Sequence, residues 1–216
     1  MTQVTFLVTR PEYDYTTRYI STWAQKVIKH ARGKGHFVLD LEGNRARKKE
    51  IESVIKKKNP SLIFLNGHGN DSIVTGQDGE ILIEAGKNEA MLKGAIVYAL
   101  SCRSAKVLGV ASVQQGTRAY IGYEEDFIFM YNSEMRTRPA EDNTALLFLD
   151  PSSQVMFSLL KGHNARDSQA NTKKVFMRTI QKLLTSQTSR DDTAMVRYLL
   201  WDMRNLVCRG DPAAAL

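Results

Sequence analysis

Two short, unbroken apolar runs, LIFL (62–65) and IVYAL (96–100), limit what this chain can fold into more than any other feature. A strand with one wet face alternates apolar and polar side chains. A strand that is apolar throughout must be covered on both faces, which in water calls for helices on each side of a sheet. The chain supplies the rest of that pattern. VTFLVTR (4–10) reads as a first strand, and residues 16–32 carry Ile20, Trp23, Ala24, Val27, Ile28 and Ala31 at helical spacing until Gly33 and Gly35 stop them. HFVLDLEG (36–43) reads as a strand, and residues 45–59 as a helix with Ile51, Val54 and Ile55 inward. SAKVLGVASVQQG (104–116) is another helical stretch and TRAYIGYEEDF (117–127) another strand. Strands and helices therefore alternate through the first 127 residues. The expected class is α/β, a mostly parallel central sheet sandwiched between helices.

Two segments depart from the alternation. DSIVTGQDGEILIEAG (71–86), with its turn residues and short apolar pieces, predicts a β-hairpin beside the main sheet. After residue 130 the pattern becomes helical, over 143–162, 170–186 and 191–207. Val175, Phe176, Ile180, Leu183 and Leu184 share one face, and Met195, Leu199, Met203 and Leu206 another. Residues 209–216 (RGDPAAAL) read as a flexible tail.

Chemistry in an open parallel sheet gathers beyond the carboxyl ends of the strands. LIFL runs into Asn66-Gly67-His68-Gly69, and IVYAL into Ser101-Cys102. One strand brings an imidazole to that edge and the other a thiol, the pair a nucleophilic cysteine and its general acid/base require. Gly69 lets backbone approach a substrate, and its amide with that of Cys102 offers an oxyanion hole. A helix expected just after Cys102, and Arg103, add positive charge favouring thiolate. Alone, a cysteine ending a buried strand is commonly inert filler and a His in a Gly-rich turn just a turn residue. Their succession on two central strands argues for a catalytic pair.

The block around His68-Gly69, followed by Ala99-Leu100-Ser101-Cys102, resembles the caspase-like (clan CD) cysteine peptidases, and among them the bacterial CHAT proteases. The NGHGN turn, the hairpin with Asp78-Gly79, the ALSC block and the helix leading to AYIGY carry that resemblance over roughly residues 1–130. It implies a caspase-like α/β/α sandwich, peptide-bond hydrolysis, His68 as general acid/base, Cys102 as nucleophile, and Gly69 with the Cys102 amide as oxyanion hole. The Q-A-C-R-G block of caspases is absent, and 34 residues separate His68 from Cys102 where caspases have roughly 50. The resemblance is thus to the wider group, without the Asp specificity of caspases. It divides the chain into a catalytic core (1–130), a helical extension that is a possible regulatory or docking surface (131–208), and the tail. It also implies a regulatory protein partner beside a protein or peptide substrate.

Glu124, Glu125 and Asp126 follow the last core strand at the same edge. An unpaired carboxylate there would select Lys or Arg before the cleaved bond; otherwise the three form a solvated loop. Asp71, Asp78 and Asp150 are further candidates. His163 reads as part of a helix-ending loop, His30 and His36 as surface residues, and Cys208 as structural. With two cysteines there is no basis for a disulfide framework or Cys-rich zinc site. No HExxH, Walker loop or G-x-G-x-x-G occurs, so no metal or cofactor is expected.

The net charge of +7 arises wholly within residues 1–60, chiefly from RARKK (45–49) and KKK (56–58). Such a segment is ordinarily the solvated face of helices, or it marks a nucleic-acid contact. Two alternatives to the enzyme follow: a non-enzymatic caspase-like scaffold, and a basic α/β module binding nucleic acid. The first residues lack the features of a secretory signal and no apolar run is long enough to span a bilayer. A cytoplasmic protein without membrane contact is therefore expected.

Overall fold

Period-two alternation explains why the central strands are apolar on both sides. In the computed structural model, which describes residues 3–185 and 190–216, Phe6, Val8, Leu62, Phe64, Ile96, Tyr98, Leu100, Ala119, Ile121 and Tyr123 enter one core. The intervening Leu7, Ile63, Leu65, Val97, Ala99 and Tyr120 enter a second on the opposite face. The strands are β1 (Thr5–Arg10), β2 (Phe37–Glu42), β3 (Leu62–Asn66), β4 (Ile73–Thr75), β5 (Ile81–Glu84), β6 (Ile96–Leu100), β7 (Ala119–Tyr123) and β8 (Leu206–Gly210). The main sheet runs β2-β1-β3-β6-β7-β8 and is parallel except for β8. Strands β4 and β5 form the separate antiparallel hairpin expected over 71–86.

The helices are α1 (Tyr15–Gly33), α2 (Lys48–Lys58), α3 (Leu108–Gln114), α4 (Asn143–Leu160), α5 (Ala165–Leu183), α6 (Arg190–Ala194) and α7 (Val196–Asn205). Helices α1 and α4 cover the first face; α2, α3 and the hairpin cover the second. Helix α5 packs outside α4 and α7 against α5. A third cluster of Phe148, Phe176, Ile180, Leu183 and Leu199 fills the gap between them. Asp142 closes the start of α4. Its carboxylate accepts from the Thr144 and Ala145 amides, the Asn132 amide and the Tyr19 hydroxyl, tying the long loop before α4 to α1.

The parallel α/β core and C-terminal helices agree with the sequence expectation; the chain's end does not. Leu206 and Val207, read as the end of the last helix, begin β8, which pairs with β7 from Tyr123↔Leu206 to Ala119↔Gly210. The tail is built in as well: the Pro212 and Ala214 carbonyls accept from the Arg166 and Ala165 amides in the first turn of α5, and Ala214 is buried. Gly210, at φ +86°, leaves no room for a Cβ against the Arg118 carbonyl. A strand whose partner lies over 80 residues upstream has no local signature. Helix α5 also begins earlier than expected, capped by Asn164, and residue 186 of the expected 170–186 helix lies outside the described residues, as do residues 1 and 2. His36, read as a surface residue, is buried with Nδ1 accepting from the Val4 amide, and the half-buried His30 stands edge-on to Phe157. No helix among the described residues is long and apolar enough to cross a membrane.

Candidate active site

Strand order reverses between β1 and β3: β1 is followed by β2 on one side, and the chain then returns to place β3 on the other. The loops after β1 and β3 therefore diverge, leaving a crevice where they part. Ladder pairing between these strands covers only Phe6–Val8. Beyond it, side chains take over: the Asn66 amide donates to Thr9 Oγ1 at 3.0 Å, and Asn66 Nδ2 to the Thr9 carbonyl at 2.8 Å. The loop then turns through Gly67, at φ +154°, where a Cβ would fall on the Thr75 carbonyl. The Thr75 amide donates to the His68 carbonyl at 2.8 Å, so the hairpin holds the His68 loop from behind.

From the loop after β1, Asp14 reaches His68, with Oδ2 to Nε2 at 2.7 Å. Its other oxygen accepts from the Thr17 amide at 2.7 Å and the Thr17 hydroxyl at 2.8 Å, in a capping box that starts α1. Burial alone would raise the Asp14 pKa. The hydrogen bonds from the Thr17 amide, His68 and the Thr17 hydroxyl outweigh it, and hold the carboxyl below its usual range. An ionised Asp14 places the ring proton on Nε2 and leaves the Nδ1 lone pair free for proton transfer. Asp14 is the site residue that sequence reasoning missed; its signal was the Asp14-x-x-Thr17 capping pattern directly after a core strand.

Gly69 lies against the end of β6. A Cβ there would stand 3.0 Å from the Cys102 carbonyl and 3.1 Å from Ser101 Cβ, so only glycine permits the two loops to approach this closely. Gly69 bridges Val74, but the flanking residues make the hydrogen bonds, Thr75 to His68 and Asn70 to Ile73. The Gly69 amide is thereby turned out of that pairing.

Cys102 and His68 share a cavity of about 30 Å³ lined also by Thr16, Ile20, Gly67, Leu100, Ser101, Phe127 and Phe129. The Cys102 thiol donates to the Phe127 carbonyl at 3.8 Å. Burial pushes its pKa up, and nearby Asp126 adds to this against the opposing Arg103. The expected helix directly after Cys102 is replaced by turns over 103–107, and α3 begins only at Leu108. The helix dipole consequently starts six residues after Cys102, too far along to favour thiolate. Arg103 sits at φ +54°, unusual for a side-chain-bearing residue, and its Nε lies 3.1 Å from Asp126 and 3.5 Å from Asp71.

None of Glu124, Glu125 and Asp126 lines the cavity. Each is committed to a cation of this chain: Glu124 to Arg209, Glu125 to Lys106 at 3.7 Å, and Asp126 to Arg103. Asp78 pairs with Arg47, and Asp150 lies near Lys26 of α1; neither lines the cavity. His163 is exposed beside α4 and α5, away from the cavity. Cys208 lies half-buried in β8, its thiol pushed up to about 11 chiefly by burial. A second residue that sequence reasoning missed is Asp202 of α7, fully buried behind this region, with Oδ1 accepting from the Ile128 amide at 2.9 Å. It falls three residues after Leu199 on the inward face of its helix, where a carboxylate is out of place.

A mostly parallel six-stranded sheet, covered by helices on both faces and carrying His and Cys at adjacent strand ends, defines a caspase-like α/β fold. Solved structures share it, among them two of gingipain. The crystal structure of the Arg-specific cysteine proteinase gingipain R (RgpB) superposes with a TM-score of 0.64 at 10% identity, covering 98% of this chain and 47% of that one. The complex of the pro- and mature domains of Porphyromonas gingivalis RgpB gives 0.53 at 10% identity, covering 99% and 48%. The chain spans about half the length of these proteins, and at that identity the likeness is one of fold. No protein-family model and no curated protein matches the sequence.

Proposed function

We propose that this chain is a clan CD cysteine endopeptidase, akin to the bacterial CHAT proteases, with Cys102 as nucleophile and His68 as general acid/base. The observation that carries the proposal is that Asp14-held His68 and Cys102 line one cavity at the switch point of the sheet. In the reaction His68 Nδ1 takes the thiol proton as Sγ attacks the scissile carbonyl. The resulting oxyanion is met by the Gly69 and Cys102 amides, and protonated His68 returns the proton to the leaving amine. Water then hydrolyses the thioester with His68 as base. A preference for Arg or Lys before the cleaved bond is suggested by the shared fold of an Arg-specific cysteine proteinase, and it requires Asp126 and Asp71 to give up Arg103. A substrate side chain of the same chemistry would take its place. Glu124 and Glu125, tied to Arg209 and Lys106, stand outside this role. A regulatory partner acting through the C-terminal helices belongs to the same proposal.

The test is a fluorogenic peptide panel with Arg, Lys, Asp or Leu before the reporter. Turnover confined to Arg and Lys is expected; turnover fastest after Asp or Leu would sink the acidic site, and none with any peptide, even after the cavity has been opened, would sink the protease.

Asp14 is a positioning residue in this scheme. Asp14→Asn keeps an oxygen for Thr17 but removes the charge from His68, and should lower kcat roughly 10- to 100-fold with KM little changed. The pH dependence of stability gives a separate readout. A carboxyl whose pKa is depressed by folding stabilises the native state above its ordinary value near 3.8, and that contribution is lost as pH falls through the lower folded value. Tm measured from pH 5 down to 2 should therefore fall less steeply in Asp14→Asn than in the wild type. Equal slopes with unchanged kcat would remove Asp14 from the site.

A further inference from the structure

After β7, residues 124–132 run without helix or strand past the Cys102 cavity, before short 3-10 turns at Ser133–Met135 and Pro139–Glu141, and α7 holds this stretch. Phe127 and Phe129 form part of the cavity wall, and the Phe127 carbonyl is the atom to which the Cys102 thiol points. The remaining space, about 30 Å³, is that of a single water molecule. A peptide carbonyl must come within roughly 3–3.5 Å of the sulfur to react, and at the part-exposed Cys102 that approach is shared with the Phe127 carbonyl.

Two consecutive residues of α7 hold the crossing segment. Trp201 Nε1 donates to the Asp126 carbonyl at 2.9 Å, and Asp202 Oδ1 accepts from the Ile128 amide at 2.9 Å. Beyond these, a row of rings carries the segment from the sheet to α1: Tyr123–Phe127 at 4.8 Å, Phe127–Phe129 at 6.1 Å and Tyr19–Phe129 at 5.9 Å. Asp202 makes this placement costly. It is fully buried, its Oδ2 has no hydrogen-bond partner, and burial holds its carboxyl well above the ordinary range. A core position that merely needed filling would take an apolar residue. A carboxylate directed at one loop amide suits a contact that is made and broken. Trp201, in contrast, is 41% exposed, so the second latch can be reached from outside.

We infer that residues 126–131 are an autoinhibitory strap over Cys102, latched by Trp201 and Asp202, and that release of these two contacts opens the cavity to a peptide chain. The inference rests on the protease reading only for the identity of the incoming chain, since the accessibility of Cys102 is a property of the thiol itself.

The test is alkylation of Cys102 by iodoacetamide in a Cys208→Ser background, comparing Trp201→Phe and Asp202→Ala with their parent. Each variant removes one latch, and Cys102 should label about tenfold faster, the effect of one net hydrogen bond. Peptide turnover should rise in parallel, with Tm within a few degrees of the parent. Trp201→Phe, at the surface, carries the test if Asp202→Ala does not fold. Unchanged labelling in the folded variants, or a parent that labels at the rate of a free thiol, would overturn the strap. Faster labelling without turnover of any peptide would uphold the strap and overturn the protease. Full turnover by the parent, unaffected by either variant, would do the reverse.

Discussion

Replacing Cys102 by alanine is expected to lower kcat/KM on the best basic peptide by about 10,000-fold or more, and His68→Ala to do nearly as much. The two groups act as one unit, so the double variant should be scarcely worse than either single one. Neither change disturbs the core: His68 is partly exposed on its loop, and Cys102 loses only a weak thiol bond to Phe127. The two variants separate when the pH is raised. Burial lifts the Cys102 pKa above its ordinary 9.0, so without His68 the reactive thiolate grows about tenfold per pH unit through the neutral range. His68→Ala should therefore recover activity between pH 7 and 9, whereas Cys102→Ala should stay inactive. Substantial hydrolysis by Cys102→Ala would assign the nucleophile elsewhere, and a flat pH profile in His68→Ala would remove the imidazole from proton transfer.

Phe64→Ala should cost about 3–5 kcal/mol and lower Tm by roughly 10 °C, the largest single-residue loss expected in this fold. Phe64 stands in the middle of β3, between β1 and β6, 1% exposed, its ring stacked on Tyr98 at 5.0 Å. Backbone paired on both sides cannot move inward to fill the space, so the cavity stays open. The same change displaces the strand that carries His68, and peptide turnover should fall with stability. Phe37→Ala, on the exposed edge strand, is the control and should shift Tm little. Thermal unfolding of both variants checks the contrast; equal losses would show that β3 does not anchor the core.

Comparison of particular elements shows where local pattern suffices. The strands β3 and β6 and the helices α1 and α4 follow from apolar periodicity alone, because their burial is written in consecutive residues. His68 and Cys102 were legible for the same reason: each immediately follows a run that must be a central strand, and parallel strands deliver their C-terminal residues to one edge. Asp14 was hidden, since a residue that caps its own helix has a sufficient local explanation. The acids at 124–126 were legible as acids but not as partners of Arg209, Lys106 and Arg103, because only Arg103 and Lys106 lie within about 20 residues of them and none adjoins them.

Sequence alone therefore determined the class of fold, the two chemical groups at the edge and the glycines that let backbone approach them. Tertiary structure decided the remainder. It turned Leu206–Gly210 from the end of a helix into an antiparallel edge strand, set Asp14 on the imidazole, and brought Phe127 and Phe129 to the wall of the Cys102 cavity in a segment held by Trp201 and Asp202. The division has one physical cause. Helical and strand periodicity record which side of an element is buried, within a few residues. A hydrogen bond or ion pair between residues 50 to 90 positions apart depends on where the sheet order places them, and that order is fixed only when both faces of the sheet are packed.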